Sequence, residues 1–155
     1  MKKKVIICST FFLLIDLCTK YLIDKYFNLM ETKTIINNFF SLTKVYNYGA
    51  SWNILTGYRI ILIIITIVIL GFLFYYQTKF KINNRNIMCF SLLYSGILGN
   101  LIDRVFRGYV IDFLGFNILG YDYPVFNFAD ICIVFGIILM AIAIIKKEDL
   151  NEDRS

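Results

Sequence analysis

Four long apolar runs constrain the fold of this chain more than any other feature of its sequence. They cover about residues 5–26, 58–77, 86–105 and 125–145, and each is close to the length of roughly 20 residues with which an α-helix crosses a bilayer. Hydrophobic residues make up 59% of the chain, against about 45–50% in soluble domains. A soluble protein of 155 residues has too little interior for so many large apolar side chains. The sequence therefore predicts a single integral membrane domain, residues 1–155, with four spanning helices.

The charged residues predict how these helices are oriented in the membrane. Basic residues precede the first run, connect the second to the third and close the fourth; they are Lys2, Lys3, Lys4, Lys79, Lys81, Arg85, Lys146 and Lys147. Four spans place these segments on one side, which the positive-inside rule identifies as the cytoplasm. The same distribution explains the formal net charge of +5 without nucleic-acid binding. Both termini are thus expected to be cytoplasmic, with the segments 27–57 and 106–124 on the outer side of the cell membrane.

The two outer segments predict short strands and turns. Residues 34–46 are rich in β-branched and aromatic side chains with partial alternation, and residues 106–124 contain three glycines and the single proline of the chain. Gly49 suits a turn or a close approach of backbone, and Trp52 suits an anchor at the membrane interface. Asn47 is either an ordinary turn residue or part of a polar site.

Residue types exclude several kinds of site. The chain has no histidine, and its four cysteines lie within apolar runs without the C-x-x-C spacing of a metal or redox site. The first run is expected to be a retained helix and not a cleaved signal, because Asp16 and Leu17 stand before Cys18 where such a signal has small residues. Residue types alone leave a Ser–Lys dyad open, but no serine and lysine stand together on the polar faces described below, so carboxylate chemistry is what remains.

The most unusual residues of the chain are polar groups at the margins of the third and fourth runs. Asn100, Asp103 and Arg104 share one helical face by their spacing, and so do Asn127 and Asp130. Asp112 lies between the two runs, among apolar neighbours. An ionisable group at the centre of a spanning helix costs roughly 2.5–3.5 kcal/mol, so these groups need partners or a function.

Two aspartates held close together suggest acid–base catalysis. They cannot both ionise easily and so share a proton, which lets one act as a base on water while the other polarises a carbonyl. The alternative is that Asp112 and Asp130 cap helices or pair with Arg104 and Arg107, since an aspartate is favoured at a helix N-terminus. Asp16 and Lys20, four residues apart, can likewise pair with each other or face a polar site.

Two other functions also fit apolar helices. A small proton-coupled transporter carries carboxylates in the membrane, although near its middle and without an irregular segment between them. A scaffold subunit needs apolar helices, but it leaves the polar residues without a purpose.

Five motifs are distributed over most of the chain: Asp16-Leu-Cys-Thr-Lys20, Asn47-Tyr-Gly-Ala50, Gly99-Asn-Leu-Ile-Asp-Arg104, Val110-Ile-Asp-Phe113 and Phe126-Asn-Phe-Ala-Asp130. In this order they resemble the bacterial lipoprotein signal peptidase family (signal peptidase II), which are membrane aspartyl endopeptidases. The resemblance implies an all-α membrane protein of four transmembrane helices with a small extracytoplasmic β-cradle. It also implies that the chain removes signal peptides from diacylglyceryl-modified prolipoproteins, cleaving before the lipidated cysteine.

The same resemblance implies roles for individual residues. The catalytic pair falls on Asp112 and Asp130. Supporting or substrate-binding residues fall on Asp16, Lys20, Asn47, Gly49, Asn100, Asp103, Arg104, Asn127 and Ala129. Arg104 is left with three possible partners: Asp103, the substrate backbone or lipid. No metal or cofactor is implied; the implied partners are lipid-modified prolipoproteins and membrane lipids, not nucleic acid, and the chain is expected to be a monomer.

Overall fold

Four long helices and one antiparallel sheet make up the computed structural model, which describes residues 2–49 and 55–146. In chain order the elements are α1 (Lys2–Tyr26), β1 (Thr32–Ile36), β2 (Phe40–Asn47), α2 (Arg59–Tyr76), α3 (Asn84–Phe106), β3 (Val110–Ile118), β4 (Tyr121–Asp122) and α4 (Phe128–Lys146). All four helices are long and apolar enough to cross a membrane. Two sequence predictions, Ala50 in the second motif and Trp52 as an interfacial anchor, concern residues outside the described ranges.

The fourth helix begins later than the predicted residue 125. Phe126 is bonded to β3 instead, because its carbonyl accepts hydrogen bonds from the amides of Phe113 and Leu114 at 2.9 and 2.8 Å. Asn127 then precedes the first helical residue, Phe128. This attachment ties the start of α4 to the strand that carries Asp112.

The central helix of the bundle is α3, which packs against both α1 and α4. Two of its glycines allow this close packing. A Cβ on Gly96 would overlap the carbonyl oxygen of Ala129, and a Cβ on Gly99 would overlap the carboxylate of Asp16. The outer faces of α2 and α4 stay exposed and apolar, as expected for helices that contact lipid.

We predict that Gly96→Ala destabilises the protein by about 1–3 kcal/mol, because the new methyl group meets a helix backbone that can move only with its whole helix. Gly71→Ala in α2 is the matched control, since a Cβ there meets nothing within 4 Å and alanine favours a helix. Thermal unfolding of both variants in detergent measures the difference. Equal midpoints for the two variants would contradict this account of the α3–α4 contact.

The sheet has the order β1-β2-β3-β4, with every neighbouring pair antiparallel. In the pairing of β2 with β3, Val45 lies opposite Asp112 and Asn47 lies opposite Val110. The register therefore brings the end of β2, with Asn47, to the beginning of β3, with Asp112.

A buried lysine fastens this sheet to the end of α1. The ammonium group of Lys44 on β2 donates to the carbonyl oxygens of Asp24 and Phe27 at 2.9 and 3.0 Å and pairs with the Asp24 carboxylate at 2.8 Å. A cation is stabilised at the C-terminal end of a helix, where carbonyl groups lack intrahelical partners. Beside it, Ile111 and Phe113 of β3 pack against Ile23 of α1. These contacts fix the position of the sheet relative to the C-terminal end of α1.

Candidate active site

The polar residues singled out in the sequence meet where α3 ends, β3 begins and α4 begins. Asn100, Asp103 and Arg104 come from the last two turns of α3, Asp112 from the third position of β3, and Asn127 and Asp130 from the start of α4. α1 adds Asp16 and Lys20, and the end of β2 adds Asn47. Hydrogen bonds and ion pairs join all nine side chains except that of Arg104, which reaches the group through backbone carbonyls.

Asp112 is almost completely buried, with 3% of its surface exposed. Both carboxylate oxygens accept hydrogen bonds: Oδ1 from Nδ2 of Asn127 at 2.6 Å, and Oδ2 from Nδ2 of Asn47 at 2.9 Å. Burial, and then the negative charge of Asp130, raise the pKa of Asp112 to about 7, although both amide donors act in the opposite direction. This carboxyl group can therefore hold a proton near neutral pH.

Asp130 is only partly buried and has a double role. Its Oδ2 accepts from the backbone N–H of Asn127 at 3.1 Å, while its own N–H donates to Oδ1 of Asn127 at 3.0 Å. These reciprocal bonds form a capping box at the start of α4, so the capping alternative raised by the sequence is realised. Oδ1 remains for a bond from Nδ2 of Asn100 at 2.8 Å. Capping thus orients the carboxylate without using both of its oxygens.

Asn127 contacts both aspartates. Its Nδ2 donates to Asp112, its backbone N–H donates to Asp130, and the second proton on Nδ2 is directed to Oδ1 of Asn100 at 3.2 Å. Every polar atom of this side chain is therefore used, which leaves one orientation of the amide. The two carboxylates are held in one hydrogen-bonded unit by a single residue.

Lys20 fixes the orientation of the other amide. Its ammonium group is fully buried and donates to Oδ1 of Asn100 at 3.0 Å. Because an ammonium group only donates, Oδ1 of Asn100 faces Lys20 and Nδ2 faces Asp130. Lys20 also pairs with Asp16 at 2.8 Å and with Asp103 at 3.1 Å. Lys20 therefore pairs with Asp16 and also faces the polar site, so both of the alternatives left open by the sequence are realised.

Asp16 and Asp103 join this charged group to the surrounding backbone. Oδ1 of Asp16 accepts from the backbone N–H of Ala129 at 2.9 Å, which explains a small residue at that position of α4 next to Gly99. Oδ2 of Asp103 accepts from the N–H of Ile111 in β3 at 3.3 Å. Both buried carboxylates are thus compensated by a cation and by backbone donors.

Arg104 does not pair with Asp103 among the ion pairs of the described residues. Its Nη2 donates to the carbonyl oxygen of Gly49 at 2.8 Å, just after the turn in which the Gly49 N–H donates to Oδ1 of Asn47 at 2.9 Å. Asp103 is approached by Arg107 instead, at 3.6 Å. The Nε of Arg104 is buried without a hydrogen-bond partner in the described part of the chain. Nη2 of Arg104 therefore links the end of α3 to the turn that follows Asn47.

Sequence reasoning did not assign a role to Arg59, which the structure brings to the end of α3. Its Nε and Nη2 donate to the carbonyl oxygens of Arg104 and Val105 at 2.6 and 2.7 Å. The signal in the sequence is weak: a single arginine at the margin of an apolar run looks like any interfacial cation.

The arrangement supports acid–base chemistry by two carboxyl groups. No group of three or more His, Cys, Asp or Glu side chains suited to a metal ion occurs within residues 2–49 and 55–146. One carboxyl group is buried and the other partly open, and amide donors orient both. That asymmetry suits a pair in which one member is protonated and the other ionised.

Comparison with known proteins gives matches over nearly the whole chain. The family model of signal peptidase (SPase) II matches residues 8–146, which include every side chain of the site. Lipoprotein signal peptidases of Staphylococcus aureus and of its strain MRSA252 are 39% and 41% identical over 150 residues, covering 96% of this chain and 92% of theirs. A bacterial membrane enzyme solved by the in meso method at 2.3 Å resolution superposes with a TM-score of 0.81 at 36% identity, covering 97% of this chain and 91% of its own.

Proposed function

Since the chain belongs to the signal peptidase II family, it is a membrane protease that processes lipoprotein signal peptides, and we propose that Asp112 and Asp130 perform the cleavage. The observation that carries this proposal is the bridge formed by Asn127. One residue donates to a buried carboxyl group and to a partly open one, and so holds both at the same place. The enzyme is then of the aspartic type and forms no acyl intermediate.

The two aspartates have different tasks because their surroundings differ. Asp112 is buried and has a pKa near 7, so it carries the proton that the pair shares. Asp130 is partly open and accepts N–H donors at both oxygens, which hold the carboxylate in place beside Asp112. Asp112 is therefore the acid and Asp130 the base at the start of the reaction.

The proposed reaction proceeds in two steps. Asp130 takes a proton from a water molecule as the water oxygen bonds to the scissile carbonyl carbon, and Asp112 gives its proton to the carbonyl oxygen. In the resulting diol the C–N bond then breaks, the leaving amine takes the proton from Asp130, and a hydroxyl proton returns to Asp112. Arg104 holds the carbonyl oxygen of Gly49 and so keeps the turn after Asn47, which donates to Asp112, beside the reacting pair.

Cleavage before the lipidated cysteine is consistent with the surface around the site. The exposed apolar faces of α2 and α4 allow diacylglyceryl chains to remain in lipid while the peptide enters the polar cluster. The sheet supplies β1 as an edge strand, all of whose residues are exposed, along which an extended signal peptide can pair.

The proposed orientation places this site at the outer face of the membrane. The basic residues Lys79 and Lys81 lie between α2 and α3 and Arg85 lies in the first turn of α3, whereas the site lies at the end of α3. Their cytoplasmic location by the positive-inside rule puts both chain termini in the cytoplasm and the sheet outside. Signal peptides emerge at that level, where a monomer has access to them.

The pH dependence of cleavage tests the assignment of the proton. We expect kcat/KM to fall as the pH rises through about 7, because Asp112 then loses the proton that it must donate. The hydrogen bond from Asn47 lowers the pKa of Asp112, so Asn47→Ala should raise that pKa and move the alkaline limb to higher pH. Rates with a diacylglyceryl-modified peptide between pH 5 and 9 measure both effects. A limb that stays in place or moves to lower pH would count against Asp112 as the acid.

A further inference from the structure

Arg59 is the first residue of α2, but its side chain binds the end of a different helix. It donates to the carbonyl oxygens of Arg104 and Val105 in the last turn of α3 at 2.6 and 2.7 Å. The final carbonyl groups of a helix lack intrahelical partners, and hydrogen bonds from a charged donor are the stronger kind. The guanidinium also lies against Gly108, where its Nη1 would be 3.3 Å from an added Cβ.

The positive charge of Arg59 stabilises the C-terminus of α3 and not the N-terminus of its own helix, α2. A cation at the N-terminus of a helix opposes the macrodipole, whereas one at a C-terminus is stabilised by it. α2 has no acidic residue in its first turn, and its N-cap Tyr58 makes no side-chain capping bond. The interactions of this residue are therefore directed to the end of α3.

The bonds of Arg59 act on the short connection between α3 and β3. This connection contains Gly108 at a φ of +90°, a left-handed conformation that glycine adopts readily. On its inner side, the carbonyl oxygen of Asp103 accepts from the amides of Arg107 and Gly108 at 2.8 and 3.2 Å. On its outer side, among the side chains that the structure describes, Arg59 supplies the hydrogen bonds to the last turn of α3. The connection joins Arg104 to Asp112, eight residues further along the chain.

We propose that Arg59 is a positioning residue for the cleavage reaction: it holds the turn between α3 and β3 and thereby fixes Asp112 and Arg104 relative to Asp130. This inference rests on the proposed roles of the two aspartates. Arg59 itself is exposed, so its removal leaves the buried network of Lys20 intact. A small displacement of a reacting group, however, can lower a rate by about a hundredfold.

The test compares Arg59→Gln, Arg59→Lys and the control Lys79→Gln, which removes a cation near the other end of α2. For Arg59→Gln we expect kcat for a lipopeptide to fall by roughly tenfold or more with a smaller change in KM. Lysine should restore part of the activity, because it keeps the charge but cannot reach two carbonyl groups as a planar fork does. Hydrogen exchange of the amides of Gly108 and Ile111 should become faster in Arg59→Gln and stay unchanged in the control.

Two results would overturn the inference. One is an unchanged kcat in Arg59→Gln. The other is a lower melting temperature with unchanged exchange at Gly108, which would make Arg59 only an anchor for α2. Failure of the catalytic assignment is separate, since it is detected by activity that persists when Asp112 or Asp130 is replaced. Hydrogen exchange reports on the connection whether or not those aspartates react.

Discussion

Replacing Asp112 or Asp130 with asparagine is expected to lower the rate of signal peptide cleavage by roughly 10²–10⁴-fold. This is the usual contribution of a positioned acid or base, and each substitution removes a proton donor or acceptor of the proposed reaction. Asparagine has nearly the same shape as aspartate and can still accept from Asn127, so the fold should persist. The measurement is cleavage of a diacylglyceryl-modified precursor peptide by the purified protein, together with substrate binding.

Asp122→Asn provides the matched control for these two variants. Asp122 is an exposed aspartate of β4 whose Oδ1 accepts from Nδ2 of Asn117 at 2.7 Å, at the end of β3 opposite to the one that carries Asp112. Its replacement should leave cleavage unchanged. Full activity in Asp112→Asn or Asp130→Asn would remove that aspartate from the chemistry and return it to a structural role.

Replacing Lys20 with methionine is expected to destabilise the protein by about 3–5 kcal/mol, because it leaves Asp16 and Asp103 buried without their cation. Asn100 also loses the donor that fixes its amide, so the molecules that still fold should cleave more slowly. Denaturation in detergent, followed by intrinsic fluorescence or circular dichroism, measures the loss of stability.

The same substitution at an exposed lysine serves as the control. Lys33 pairs with Glu31 at 3.5 Å on the surface, and Lys33→Met should change stability little because water screens that pair. Neutralising Asp16 as well should restore part of the lost stability. The double variant Asp16→Asn, Lys20→Met should lose less unfolding free energy than the two single variants lose together. Additive losses, or a Lys20→Met protein as stable as Lys33→Met, would contradict the proposed energetic role of the buried group.

The spanning helices were predictable from the sequence because they depend on local properties. An apolar run of about 20 residues forms a helix in lipid whatever its neighbours are, since each backbone group must be bonded within the segment. The start of α4 is not predictable in this way, because Phe126 is as apolar as the helix that follows, and only its pairing with Leu114 of β3 shows where the helix begins.

Residue spacing also grouped the polar side chains of single elements correctly. Asn100 and Arg104 lie on one helical face, because three or four residues make about one helical turn. Asn127 and Asp130 have the same spacing and meet through the capping bonds at the start of α4. Asp16 and Lys20 do pair, as their spacing suggested. Such reasoning extends over only a few residues, so it left the partner of Arg104 open and gave Arg59 no role.

The sequence by itself therefore determined the membrane class, the four apolar helices and the residue types of the site. The tertiary structure decided which of these residues meet: Lys20 with Asn100, 80 residues away, and Asp16 with the backbone of Ala129, 113 residues away. It also decided that Asp112 is more buried than Asp130, and that its pKa is raised to about 7. The physical reason is that burial and long-range hydrogen bonds depend on how helices and sheet pack together, which no local pattern encodes.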